Sequence, residues 1–147
     1  MDLRDTPVAE VMQAEFMHLS PQDGLDFVEE IMDLGRIRHF PVLRDGRLEG
    51  IVSQRDLLAA SLTRVLDFDG PHRRAFLRSV KVEEVMTRDV RTVAPTAPLS
   101  EVARLLDRHK IGCVIVVDEN DAPVGIVTET DLLAHAYQND AEDAATG

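Results

Sequence analysis

The feature that most limits what this chain can fold into is that it repeats itself. Val11-Met12 recurs as Val85-Met86, and Leu19-Ser20-Pro21 recurs as Val93-Ala94-Pro95, both at an offset of 74. Leu25, Val28, Ile31 and Ile37 recur as Leu99, Val102, Leu105 and Ile111 at the same offset. One residue is then inserted in a turn. Gly50-Ile51-Val52-Ser53-Gln54-Arg55-Asp56-Leu57-Leu58-Ala59 matches Gly125-Ile126-Val127-Thr128-Glu129-Thr130-Asp131-Leu132-Leu133-Ala134 at an offset of 75. Two copies of about sixty residues each are units too small to bury an apolar face well alone, so they are expected to pack on one another.

Both copies read as strand, helix, strand, strand, helix. A short apolar run opens each: Phe16-Met17-His18-Leu19, then Val90-Arg91-Thr92-Val93. Leu25, Val28, Ile31 and Met32 stand at helical spacing, with Asp23 as a candidate cap and Gly35 as a stop. In the second copy Pro98 suits the first helical turn, and Leu99, Val102, Leu105 and Leu106 form the stripe. Phe40-Pro41-Val42-Leu43 and Leu48 to Val52 flank an Asp45-Gly46 hairpin signal, and Val114 to Val117 and Val124 to Val127 flank a longer turn. Ser53 and Thr128 stand at the N-cap of each closing helix. The expected organisation is an α/β (α+β) fold of two β-α-β-β-α repeats, 6–60 and 80–137, around a pseudo-two-fold axis. A helical connector, 61–79, would join them, and a small, acidic, disordered tail would follow at 138–147.

The formal net charge of -11 argues against binding nucleic acid or anionic membrane. Tryptophan is absent, so stacking platforms for bases are poorly supplied. No apolar stretch approaches a membrane span and the N-terminus lacks the order of a signal peptide. With a single cysteine, Cys113, no internal disulfide can form, and the simplest compartment is the cytoplasm. The five histidines are scattered without metal-ligand spacing, and no Ser-His-Asp or Cys-His constellation emerges.

The ordered motifs resemble the CBS-domain pattern: Met86-Thr87, Thr92-Val93-Ala94-Pro95, Ile111-Gly112 before an apolar strand, and Gly125 to Asp131. Copy one supplies Val11-Met12, Ser20-Pro21, Ile37 to Val42 and Gly50 to Asp56. The resemblance covers about Thr6 to Tyr137. It implies a disc-like pair of CBS domains (a Bateman module), often dimeric, that binds AMP, ADP, ATP or S-adenosylmethionine in clefts between the copies and regulates other proteins. It implies no catalysis and no cofactor, with magnesium only if ATP is the ligand. With no catalytic or membrane segment read beside the repeats, the output is expected to go to a separate, unidentified partner. A homodimer is expected from the family and from the apolar faces of Leu62, Val65, Phe76 and Leu77.

Asp56 and Asp131 could each accept from both hydroxyls of a ribose, and Ser53 or Thr128, at a helix start three residues earlier, suits a phosphate. The same spacing also makes Ser53-x-x-Asp56 and Thr128-x-x-Asp131 plain capping boxes. By the resemblance, one pocket combines Thr87, Val90, Ile111 and Gly112 with Ser53, Asp56 and His39, Ile111 and Gly112 offering main-chain groups to the adenine edge. Gly112 could equally be a helix-end glycine. The mirror pocket would use Gln13, Ile37, Arg38, Cys113, Thr128 and Asp131. It departs from the pattern at Gln13 and Cys113, so it is expected to be weaker or empty. Arg38, His39 and Arg55 are the candidate cations for phosphate, and protonation of His39 would make binding pH-dependent. Arg36 and Lys110, at the ends of the long helices, read first as solvated charges.

Overall fold

The helical stripes and alternating runs become the expected elements in a computed structural model that describes residues 3–35, 37–62 and 70–146. Short 3-10 turns at Leu3–Asp5 and Val8–Glu10 open the chain. They are followed by helix α1 (Leu25–Gly35), strands β1 (His39–Arg44) and β2 (Arg47–Ser53), and helices α2 (Gln54–Leu62), α3 (Gly70–Ser79) and α4 (Val82–Val85). Then come β3 (Thr92–Val93), α5 (Leu99–His109), β4 (Cys113–Val117), β5 (Pro123–Thr128) and α6 (Glu129–Thr146). Helix α6 corrects the expected tail: 138–146 is helical, which its alanines and acidic residues permit by propensity.

The chain divides into two compact units that do not coincide with the repeats. One comprises Met1–Phe16 with Arg91–Gly147, the other Met17–Val90. Each repeat's opening segment is therefore exchanged. In the Met17–Val90 unit, Val82 N–H donates to Asp23 O at 2.8 Å, Glu83 N–H to Pro21 O at 3.0 Å, and Leu25 N–H to Val80 O at 3.0 Å. In the other unit Val8 N–H donates to Ala97 O at 2.8 Å, Ala9 N–H to Pro95 O at 3.1 Å, and Leu99 N–H to Thr6 O at 2.9 Å. These are the same three bonds displaced by 74 positions, with the donating and accepting repeats interchanged.

Each unit has its own core. In the Met17–Val90 unit Leu19, Leu25, Val28, Phe40, Val42, Val52, Leu77 and Val82 are fully buried, and Met32, Leu57 and Met86 nearly so. Ile31, Ile37, Phe76 and Val85 pack around them. The other core gathers Val8, Val93, Leu99, Val102, Leu106, Val114, Val116 and Val127, with Met12, Ile111 and Leu132 beside it. Leu77 is thus core, and Phe76 packs against it, which corrects the reading of both as an association face. Val65 and the side chain of Leu62 lie outside the described residues.

The sheets differ where one residue differs. In one unit β3 pairs parallel with β4, which pairs antiparallel with β5. In the other, β1 and β2 form a two-stranded sheet, and the opening run contributes only a bridge from Leu19 to Val42. The expected third strand is missing there because Pro41 occupies the position of Ile115. Ile115 N–H donates to Arg91 O at 3.1 Å; proline has no N–H to offer Met17 in the same place. The first hairpin turns on Asp45 and Gly46, both with positive φ, as its two-residue loop requires. The longer second turn is held by Asp118, whose Oδ1 accepts from Asn120 N–H at 2.8 Å and Ala122 N–H at 3.0 Å.

Candidate functional site

The site in each unit is built from the strand-to-helix turn and the exchanged segment that lies against it. Gly50 and Gly125 make that approach possible. A Cβ on Gly50 would stand 2.7 Å from Met86 Sδ and 2.9 Å from Thr87 O, and one on Gly125 would fall onto Met12 Sδ. The segment is then locked by paired backbone bonds. Thr87 N–H donates to Ile51 O and Ile51 N–H to Thr87 O, both at 2.9 Å. Gln13 N–H donates to Ile126 O at 2.8 Å and Ile126 N–H to Gln13 O at 3.0 Å. Thr87 and Gln13 therefore stand at equivalent places, each beside the first turn of a closing helix.

In the Met17–Val90 unit the structure brings Ser53, Asp56 and Thr87 together. Asp56 Oδ2 accepts from Ser53 N–H at 2.8 Å and Ser53 Oγ at 3.0 Å, while Asp56 N–H donates to Ser53 Oγ at 3.3 Å. This is a reciprocal capping box. Among the described residues the second oxygen, Oδ1, accepts from Thr87 Oγ1 alone, at 3.2 Å. In the other unit Thr128, Asp131 and Gln13 are gathered. Thr128 N–H and Oγ1 donate to Asp131 Oδ2 at 2.8 and 3.0 Å. Gln13 Nε2 lies 2.9 Å from Oδ1 and 3.1 Å from Oδ2. Both aspartates are half-buried, and Thr87 and Gln13 are exposed.

The other candidates fall around these two centres. His39 and Ser53 face one another across β1 and β2, as Cys113 and Thr128 do across β4 and β5. Arg38 is exposed, and its carbonyl accepts from Gln54 N–H at 2.9 Å; the Gly112 carbonyl takes Glu129 N–H at 3.3 Å. Arg55 is exposed on the first turn of α2. Val90 is half-buried and its N–H reaches Arg88 O at 3.0 Å. Ile37 and Ile111 pack against the two cores, and Ile111 N–H donates to Leu106 O at 3.3 Å. The left-handed residue that ends α5 is Lys110, with φ of 52°, which removes the helix-end account of Gly112. Lys110 pairs with Asp107 at 3.4 Å, and Arg36 lies outside the described residues.

Sequence reasoning did not find the Met86–Gly50 and Met12–Gly125 contacts. The recurrence of Val-Met and Gly-Ile-Val was its signal, but not that each Val-Met would land on the other repeat's glycine. It also missed an exposed cluster in which Arg44 Nε lies 3.0 Å from Glu49 Oε2 and Arg44 Nη2 lies 3.1 Å from Glu83 Oε2. The Glu49 hydrogen bond, more than any other contact, holds Arg44 protonated. Among the described residues no three His, Cys, Asp or Glu side chains are gathered for a metal, and no helix is long and apolar enough to cross a membrane.

Burial pushes the Cys113 thiol from an ordinary 9.0 up to about 12. Below pH 9 the thiol is neutral whether the chain is folded or not. As pH rises from 9 towards 12 the unfolded chain ionises and the folded one resists, so stability falls, by at most about 1.4 kcal/mol per pH unit. Urea unfolding at about pH 8 and about pH 10.5 should show a smaller loss for Cys113→Ala than for the parent. Equal losses would mean that the thiol is not shielded.

Set against known proteins, the chain matches the CBS domain model at residues 8–63 and 82–137. The chain belongs to the CBS-domain family, as a tandem pair of these domains. A Vibrio cholerae protein described as an acetoin utilization protein (AcuB) is 35% identical, with a TM-score of 0.78 over 97% of each chain. The crystal structure of CBSX2 in complex with AMP is 25% identical, with a TM-score of 0.75 over 91% of this chain and 98% of that one. The CBS domain pair of protein MJ0100, in complex with 5′-methylthioadenosine and S-adenosyl-L-methionine, is 26% identical with a TM-score of 0.73, covering 90% and 99%. A homoserine O-acetyltransferase of Methanococcoides burtonii is 30% identical over 131 residues, but the chain spans only 24% of that protein's length.

Proposed function

We propose that this CBS pair is a non-catalytic sensor of an adenosine-containing ligand, AMP, ADP, ATP or S-adenosylmethionine, and that its ligand state is read by a separate partner protein. The observation that carries the reading is the Asp56 carboxylate. One oxygen is committed to the helix cap; among the described residues the other meets a single rotatable hydroxyl at 3.2 Å, an acceptor that a sugar diol can claim. Ser53 Oγ and the opening N–H groups of α2 are held in cap bonds to Asp56 and to the Arg38 carbonyl, so a phosphate at this helix start would have to draw them away from those partners, with Arg38, His39 and Arg55 of the same unit as sources of positive charge. The adenosyl ligands crystallised with CBSX2 and the MJ0100 pair support the ligand class. Val90, of the same unit, is proposed to line the base, and self-association into a homodimer is part of the reading. The ligand can act on the partner only through a preference for one conformation over another.

Calorimetric titration with AMP, ATP and S-adenosylmethionine tests this directly. Asp56→Ala should weaken binding by on the order of 1.5–3 kcal/mol, the worth of one or two hydrogen bonds to a charge. Because Asp56 also closes the capping box, the same change should lower stability by about 1 kcal/mol. The carboxylate is therefore not structurally silent, as an exposed one would be. Affinity unchanged in Asp56→Ala would remove this site. A second reading, a structural or protein-interaction module, is favoured by the fact that both aspartates already serve as caps. Absence of heat and of thermal shift at millimolar ligand would decide for it.

A further inference from the structure

We infer that Gln13 is an internal latch on Asp131, a side-chain amide standing in for a ligand diol, and that it keeps the carboxylate of the second repeat closed to the ligand that the Asp56 carboxylate accepts. The inference rests on the proposed adenosine-sensing function and names how its two equivalent sites are made unequal.

The two centres share one backbone frame. Thr87 and Gln13 occupy matching positions, each fixed by two backbone bonds to the isoleucine after the strand glycine. What differs is the reach of the side chain and the number of carboxylate oxygens it meets. Thr87 offers a single hydroxyl that meets one oxygen of Asp56 at 3.2 Å. That hydroxyl can rotate away and then donate to, or accept from, an incoming ligand. Gln13 is longer, and its amide nitrogen lies 2.9 and 3.1 Å from the two oxygens of Asp131. At these distances one N–H of the amide is shared between the two oxygens, while Thr128 N–H and Oγ1 also donate to Oδ2, so both oxygens of Asp131 are engaged. A sugar diol must displace a hydroxyl from one oxygen of Asp56 but an amide that spans both oxygens of Asp131. That difference corresponds to affinities on the order of tenfold to a hundredfold apart. The closure is built into the chain: it needs no missing cation, only a glutamine where the other repeat has a threonine.

Titration calorimetry with AMP on the full chain tests the latch through stoichiometry. The parent should bind one AMP. Gln13→Thr, a residue the same backbone frame already holds at position 87, should bind two, and Thr87→Gln should bind none. Two equal sites in the parent, or one site in Gln13→Thr, would overturn the latch and leave the sensor reading standing. Binding by none of the three proteins would end both. A ligand-free readout separates the contact from its consequence. The Gln13 side-chain NH2 signals in a 15N–1H spectrum should be displaced from those of a free glutamine amide and should return to them in Asp131→Ala, which removes both acceptor oxygens. Free-amide signals in the parent would overturn the latch regardless of what binds.

Discussion

Gly50→Ala lowers the stability of this protein by about 3 kcal/mol, and Gly125→Ala by less, although the two glycines are the same residue of the repeat. The difference comes from what each new methyl meets. At Gly50 it meets Met86 Sδ at 2.7 Å, Met86 Cγ at 2.9 Å and the Thr87 carbonyl oxygen at 2.9 Å. The thioether can swing aside, but the carbonyl is held in the two-bond bridge to Ile51 and cannot. Relief there requires breaking backbone hydrogen bonds, which leaves polar groups short of partners. At Gly125 the close neighbours are all atoms of the Met12 side chain. A double-mutant cycle in urea should therefore find a strong favourable coupling between Gly125→Ala and Met12→Ala, and a weaker one between Gly50→Ala and Met86→Ala. Equal costs and equal couplings would mean that the exchanged segments do not lie against the glycines as described.

Phe40→Ala has the largest expected effect of any single change considered, about 3–5 kcal/mol. Phe40 is fully buried and heads the largest side chains so enclosed, in a core it shares with Leu19, Leu25, Val28, Val42, Val52 and Leu77. Truncation loses the transfer free energy of the ring and leaves a cavity whose walls come from several elements and cannot all move in. Against a typical total of about 5–15 kcal/mol, that loss leaves a marginal fold. The matching residue of the other repeat, Val114, is equally buried but smaller, so Val114→Ala should cost less. Thermal and urea unfolding of the two variants give the comparison; equal losses would contradict the packing.

Much of this was legible in the residues. The repeat, the offset change from 74 to 75, the helical stripes and the Asp45-Gly46 turn all reflect local rules: period, cap and positive φ act over a few residues and leave their mark in composition and spacing. The pairing of Ser53 with Asp56 and of Thr128 with Asp131 is local in the same way, three residues apart across one helical turn. Propensity misled at 138–146, where small and acidic residues read as tail also suit a helix. It misled again at the opening of the first repeat, where one proline, Pro41, removes the donor that a third strand needs.

What the chain by itself determined is therefore the family, the inventory of elements and the two aspartate caps, because each depends on neighbours in sequence. Only the tertiary structure decided that the opening segments change places, so that Met86 and Thr87 complete the first repeat and Met12 and Gln13 the second. It alone decided that one aspartate faces a single hydroxyl and the other a two-point amide. Asp131 and Gln13 are separated by 118 positions, and no short-range rule relates residues that far apart. They meet because Gly125 lets the Met12–Gln13 segment close on Ile126 to within hydrogen-bonding distance, and that approach is a property of packing.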